Sequence, residues 1–425
     1  MNILIKNATV LDMVNENVPN IEKKDILIKE NIIYKIDNEI LDIADKIIDA
    51  KNMIVMPGLV NTHTHLAMSI FRGYKNDIKL VDWLQNAIFP VEERLKPDDI
   101  YWNSYLSCIE MIKSGTTTFN DMYFRMDKTL EAAEKSRLRG IIAWSVTDNS
   151  IKDKLERTKE YFKKYSNKKD SKIKIYVSAH APHTCNPETL KKCVDLAKEL
   201  HTGIHIHLPE TLKENEIIEK KYAQSGIEYL SDSDVFDVPV VLVHGTYIKD
   251  SDIPILEKIK GGISHTPRSN CKFSSNICNI TKLHDANINV GLGTDGIETS
   301  STMDMFEEMK VAAYLQKINT QEKVKISAYE ILKMATIEGA KVLGLDKEIG
   351  TIEEGKKADI ICINRNKTHL YPENDICSNL VYSANGADVD TVIVDGKILM
   401  KNRKLVDVNE KEVKKKVAKI VKRLL

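Results

Sequence analysis

Eight short apolar runs of strand type, each followed by helical periodicity, fill the middle of the chain and limit its possible folds more than any other feature. The runs are 54–64, 116–121, 140–146, 173–180, 203–207, 240–244, 262–265 and 288–295. Clear helical stretches between them are 99–113, 128–138, 187–200 and 211–224. Eight β-α units over roughly 290 residues are what a (β/α)8 barrel requires. The active site of that fold lies at the C-terminal ends of the strands. Those ends carry His63, His65, Asp121, His180, His207, His244, His265 and Asp295.

Both termini have a different texture. Ile3-Leu4-Ile5, Ala8-Thr9-Val10-Leu11, Asp25-Ile26-Leu27-Ile28 and Ile32-Ile33-Tyr34-Lys35-Ile36 read as short strands around Asn, Asp and Glu turns. Ala358-Asp359-Ile360-Ile361-Cys362-Ile363 and Thr391-Val392-Ile393-Val394-Asp395-Gly396-Lys397 read the same way. Neither piece is long enough for a core of its own. The expected division is a composite β-sandwich from 1–56 and 347–425, with a C-terminal helix, around a barrel of 57–346. The last stretch, 409–425, is a Lys-rich helix with Val413, Val417, Ile420 and Val421 on one face. Its charge reads as a solvated face.

Charge narrows the partners. Lys+Arg and Asp+Glu both total 62, so nothing favours a nucleic-acid or membrane-surface partner. No apolar run approaches a membrane span, and the N-terminus reads as a strand without a signal-peptide layout. Seven scattered cysteines without a CxxC suggest a reduced, cytoplasmic chain. The PCxxC of the HxE-type deaminases and the Gly-rich P-loop pattern are both missing.

The first run ends in Met56-Pro57-Gly58-Leu59-Val60-Asn61-Thr62-His63-Thr64-His65. Alternate strand residues share a face, so His63 and His65 point the same way, as two ligands of one metal need. A further His from a middle strand and Asp295 from the last strand complete a mixed N/O donor set. Imidazole and carboxylate suit Zn2+, with Fe2+ or another divalent ion as competitor. His205 and His207 are both inward on one strand and either serves; the strand-end place, with Glu210 following, favours His207. Other residues have plainer readings. Asp121 also suits a backbone cap, and Glu92 alone is an exposed helix charge. His201, His284 and His369 are ordinary helix, loop or sandwich residues. Met68, Phe71, Trp83, Leu84, Ile88 and Phe89 suit core packing, a lid or an interface.

The first-strand motif resembles that of the amidohydrolase superfamily. Further stretches narrow the resemblance: Pro90-Val91-Glu92-Glu93-Arg94-Leu95, His180-Ala181-Pro182-His183-Thr184-Cys185, His205-Ile206-His207-Leu208-Pro209-Glu210-Thr211, Val243-His244-Gly245, Ser264-His265-Thr266-Pro267-Arg268-Ser269-Asn270 and Leu292-Gly293-Thr294-Asp295-Gly296. Together they are similar to the methylthioadenosine/S-adenosylhomocysteine deaminase family, close to its archaeal 5'-deoxyadenosine deaminases. The resemblance covers nearly the whole chain. It implies hydrolytic deamination of the adenine ring of 5'-deoxyadenosine, 5'-methylthioadenosine, S-adenosylhomocysteine and adenosine, in recycling of S-adenosylmethionine by-products.

The resemblance also implies site roles. His63, His65, His207 and Asp295 match the ligands of one divalent metal per subunit, most often zinc. Glu210 matches the group that moves a proton from the attacking water to ring nitrogen N1. Asp295 relays a proton to the departing amine, and His244 orients and polarises the nucleophile. Glu92 matches the residue that holds the ribose hydroxyls, and His180 another substrate contact. No role carries over for His183, His205 or His265. The resemblance implies a homo-oligomer as well, a tetramer being one arrangement, though no residue here fixes the number. Relatives that take S-adenosylhomocysteine well carry arginines after the third strand, where this chain has Trp144 and Lys154. A guanidinium fork is not replaced by an indole, so small or apolar 5' groups are expected to be preferred. The competing readings are a deaminase of guanine or cytosine, a triazine-type hydrolase, and a metal-free amidohydrolase-like scaffold.

Overall fold

The computed structural model describes residues 1–78, 80–166, 171–320 and 325–425. Its centre is a ring of parallel strands: β1 (Leu59–Thr64), β2 (Thr116–Tyr123), β3 (Arg139–Trp144), β4 (Ile173–Ile175 continued by Val177–Ser178), β5 (Ile204–His207), β6 (Val240–Val243), β7 (Gly261–His265) and β8 (Val290–Leu292). Neighbours pair in that order. β4 breaks at Tyr176, so its first part pairs with β3 and its second with β5. A parallel bridge between Thr64 and Asp295 closes the ring, with the Asp295 amide donating to His63 O at 3.0 Å. Every residue of β1, β2 and β3 is buried, as expected of strands covered on both faces. The molecule is therefore a (β/α)8 barrel carrying a separate β domain from the termini.

Helices fill the crossovers for legible reasons. Pro187–Leu200 starts on Asn186, whose side chain accepts from Thr189 N. Leu212–Tyr222 starts on a capping box between Thr211 and Glu214 and stops where Ala223 turns left-handed, φ 57°. The sequence pattern carried that helix on to residue 224; backbone conformation ends it earlier.

The run 54–64 is two strands, not one. Met53–Pro57 pairs with Asn2–Leu11 and Ile360–Asn364 in the terminal sheet, whereas Leu59–Thr64 is β1. Gly58 is the junction: a Cβ there would lie 2.1 Å from the Thr117 side chain. Apolar alternation reports a strand but not which sheet receives it.

The terminal sheet has nine strands drawn from both ends of the chain. Its wings close around one core, with Ile3, Ile28, Val55, Ile360 and Ile393 in a single cluster. The C-terminal helix Glu410–Leu424 packs on Pro97–Ser114 of the barrel and buries Val413, Val417, Ile420 and Leu424. Leu424, rather than the half-buried Val421, completes the expected stripe. Arg139 of β3 joins the two parts. Its guanidinium meets both carboxylate oxygens of Asp359 at 2.9 and 3.2 Å in a buried site. Among the described residues, no helix is long and apolar enough to cross a membrane.

Candidate metal centre and active-site cavity

The strand ends surround a cavity of about 350 Å³ over the barrel mouth. His63 comes from β1, His65 directly follows it, and His207 ends β5. Ligand-type atoms of these histidines lie within 4.8 Å of one another. Atoms of Glu210, His244 and Asp295 form a second such group at the same cavity. His63 Nε2 and His65 Nε2 each stand 3.3 Å from Asp295 Oδ1, which ties the groups together. The charge-bearing side chains the sequence placed at β1, β5, β6 and β8 thus converge.

The outer nitrogens decide what the inner ones can do. His65 Nδ1 lies 2.5 Å from Met122 O, and His207 Nδ1 lies 2.7 Å from His180 O. A carbonyl only accepts, so both rings carry their proton on Nδ1 and offer a bare Nε2 to the centre. His63 Nδ1 meets His205 Nε2 at 2.9 Å, and its own Nε2 is buried with no hydrogen-bond partner. Such outer contacts fix tautomer and orientation in metal-ligating histidines. Bare imidazole nitrogens facing one carboxylate fit a divalent cation.

Electrostatics agree. Burial pushes His63 down to about 4 against the pull of Asp295, and holds His207 well below the ordinary histidine value. Neutral imidazole is the ligating form. Burial works against the Asp295 carboxylate, but the His63 contact and the neighbouring imidazoles keep it below the usual range. Asp295 Oδ2 accepts from Ser269 Oγ at 2.6 Å, and Oδ1 from Gly296 N at 2.8 Å. Two site residues sit in left-handed backbone, His244 at φ 73° and Asp295 at φ 60°. For a histidine this is a costly conformation of the kind that clusters at functional sites. It turns each side chain inward just past its strand.

The remaining groups divide by position. Glu210 Oε2 is 3.8 Å from His244 Nε2, while Oε1 is buried without a partner. Burial, with Asp295 and Glu214 nearby, raises the Glu210 carboxyl well above its ordinary value. His244 Nδ1 lies 2.9 Å from Thr266 Oγ1 and 3.2 Å from Asn270 Oδ1. Donation to Asn270 leaves Nε2 as an acceptor facing the cavity. Glu92 lines the cavity on the β1 side and accepts from Tyr123 OH at 2.5 Å. Burial raises its carboxyl despite that bond. His180 also lines the cavity, with Nδ1 2.9 Å from Thr184 Oγ1.

Other strand-end residues stay outside the centre. His205 faces His63 from behind, and His265 is fully buried away from the cavity wall. Asp121 caps backbone: it accepts from Leu66 N and Thr64 Oγ1, both at 2.7 Å. His183 lines the cavity with Nε2 3.8 Å from Glu214. His201 caps a helix, His284 stands by Glu330, and His369 pairs with Asp388. Met68, Trp83, Leu84, Ile88 and Phe89 form the apolar side of the cavity, while Phe71 is buried. Sequence reading gave no role to Ser269, Asn270 or Tyr123. The first two lay inside a quoted motif, and Tyr123 is two residues beyond Asp121 on the same strand face. Glu298 had no signal at all.

Comparison with known proteins fits this geometry. A sequence model described as Amidohydrolase family matches residues 54–399. The chain belongs to the amidohydrolase family. Among its relatives is a protein of Thermoanaerobacter pseudethanolicus named 5-methylthioadenosine/S-adenosylhomocysteine deaminase. It is 45% identical over 430 residues, covering 100% of both chains. Another, from Methanosarcina acetivorans, is named 5'-deoxyadenosine deaminase and is 41% identical, over 97% of this chain and 95% of its own. Among solved structures of the family's architecture, an adenosine deaminase from Xanthomonas campestris with bound zinc superposes with a TM-score of 0.94. It is 26% identical, covering 99% of this chain and 98% of its own.

Proposed function

We propose that this amidohydrolase hydrolyses the C6 amine of adenine nucleosides to an oxo group, releasing ammonia. Its substrates are 5'-deoxyadenosine, 5'-methylthioadenosine, S-adenosylhomocysteine and adenosine. The convergence of His63, His65 and His207 on Asp295, beside Glu210 and His244, carries this reading. Relatives named 5-methylthioadenosine/S-adenosylhomocysteine deaminase and 5'-deoxyadenosine deaminase support it. His63, His65, His207 and Asp295 would hold a divalent ion, with Zn2+ favoured by the nitrogen-rich donor set. When bound, such an ion lowers the pKa of water to about 7 and so supplies a nucleophile at neutral pH.

The protein's own groups do the rest. Attack at C6 builds negative charge on the ring, so N1 must gain a proton as the bond forms. Glu210, whose Oε1 is free and whose carboxyl is poised to hold a proton, takes one from the attacking water and places it on N1. His244 accepts a hydrogen bond from that water through Nε2 and aims it at C6. Asp295 relays a proton to the amine as it leaves. Glu92 holds the ribose hydroxyls and His180 contacts the nucleoside. The apolar wall from Met68 to Phe89 keeps bulk water from the ring.

Next to this cavity, Trp144, Lys154, Arg125 and Arg157 line a second one. Lys128 lines it too; Arg157 pairs with Asp127 and Asp153 and Lys128 with Glu131, while Lys154 and Arg125 bond the backbone carbonyls of Ser145 and Leu95. At the end of β3 itself stands the Trp144 indole, which has no guanidinium fork for an amino-acid carboxylate. We therefore expect kcat/KM to be higher for 5'-deoxyadenosine and 5'-methylthioadenosine than for S-adenosylhomocysteine. A cytoplasmic homo-oligomer with the catalytic barrel at 57–346 completes the reading. The test is ultraviolet monitoring of purified protein against a panel of adenosine analogues, before and after chelation and zinc return. Conversion of adenine to hypoxanthine that chelation stops and zinc restores supports it; no conversion of any adenine nucleoside by the zinc-loaded protein overturns it.

A further inference from the structure

Of the acids at the cavity that have none of these roles, Glu214 caps a helix and Glu298 does not. Glu298 lies on the short helix Ile297–Ser300 just beyond Asp295, is 2% exposed, and lines the cavity. Its Oε2 is buried with no hydrogen-bond partner. The carboxyl folds back over Gly296, where a Cβ would lie 2.0 and 2.1 Å from its oxygens, so glycine there makes the room. Lys272 gives its ammonium to the backbone carbonyl of Glu298 at 2.6 Å, not to the carboxyl. A buried carboxyl oxygen without a partner is expensive to keep, and the residue that carries it lines the substrate cavity.

Its place around the barrel says what it meets, given the deaminase reading on which this inference rests. C6 lies over the histidines, N1 faces Glu210 beyond β5, and the ribose reaches Glu92 beyond β1. The purine edge from C6 through N7 to C8 is then turned away from Glu210, toward the β8–β1 side, where Glu298 stands. We propose that the Glu298 carboxyl donates a hydrogen bond to N7 of the adenine ring and so selects the purine. N7 offers an in-plane lone pair and no hydrogen, so it needs a donor. Burial raises the Glu298 carboxyl well above its ordinary value, which favours its protonated form.

The test compares 5'-deoxyadenosine with its 7-deaza counterpart, in which C–H replaces N7, on the zinc-loaded enzyme and two variants. Any change in ring reactivity from that replacement is common to all three proteins and cancels between them. The unmutated enzyme should favour the parent nucleoside. Glu298→Leu should lower kcat/KM for the parent roughly 10-fold, the scale of one lost hydrogen bond to a buried group, and leave the 7-deaza substrate nearly unaffected. Glu298→Gln, whose amide still donates, should keep most of the preference. An unchanged preference in Glu298→Leu overturns the proposal. If that variant does not fold, inhibition of the unmutated enzyme by inosine and by 7-deazainosine decides, since equal inhibition constants overturn it. Turnover of 5'-deoxyadenosine by the unmutated enzyme in the same assay separates the failure of this contact from failure of the deaminase reading.

Discussion

Glu210 and His265 show how much a single side chain's surroundings decide. Glu210 is partly exposed and opens on the cavity, whereas His265 is fully buried behind its wall. Glu210→Gln removes the proton carrier and leaves the four candidate ligands intact. We expect kcat to fall by ~10²–10⁴, the usual contribution of a positioned acid-base group, with metal content unchanged by elemental analysis. His207→Ala should instead lose the metal on dialysis, and activity with it. His265 acts on stability. Burial, then the nearby His244, pushes it down to about 3. It is therefore neutral in the folded protein, while the unfolded chain takes up a proton below its pKa of about 6.5. The folded pKa is the lower one, so this histidine's contribution to stability is lost as pH falls from 6.5 toward 3. Its slope is up to about 1.4 kcal/mol per pH unit. Denaturant unfolding of His265→Gln at pH 7 and pH 5 should show a correspondingly smaller acid loss than the parent protein.

At the scale of elements, the change of sheet at Gly58 is the point of least tolerance. The strand before it belongs to the terminal sheet and the strand after it carries His63. Gly58→Ala would press a methyl group into Thr117, and overpacking of this kind costs about 1–3 kcal/mol. A lower midpoint in urea, with an unchanged slope, is the expected reading. The strand pattern itself was visible in the residues, because β-branched and apolar alternation survives without knowledge of neighbours. Strand ends were visible too, since His and Asp interrupt apolar runs. The left-handed backbone at His244 and Asp295 was not, because neither is a residue that demands it.

Across the whole molecule, one buried ion pair connects barrel and terminal sheet. Arg139 grips Asp359, which also accepts from the Asp395 amide at 2.7 Å. Arg139→Met would strand that carboxylate in a buried site, a loss of about 3–5 kcal/mol. Asp359→Asn together with Arg139→Met should recover part of it. Thermal unfolding of the single and double variants checks both expectations. The C-terminal helix adds a second tie, with Arg423 2.5 Å from Asp99 on the barrel helix it covers. Both contacts join residues more than two hundred positions apart, a separation that no local pattern reports.

The sequence by itself determined the alternation of strands and helices, the strand ends where chemistry gathers, and the HxH pair, because each depends on residues close together in the chain. Periodicity also restricted His205 and His207 to the same face. The strand-end place favoured His207, and tertiary structure decided which of them faces the other histidines, because that depends on what stands opposite: His205 meets the back of His63, while His207 joins the front. It likewise decided that Asp121 caps backbone and that Glu298 reaches the cavity. A side chain's partner is set by the packing of distant segments, and burial and charge then set its proton.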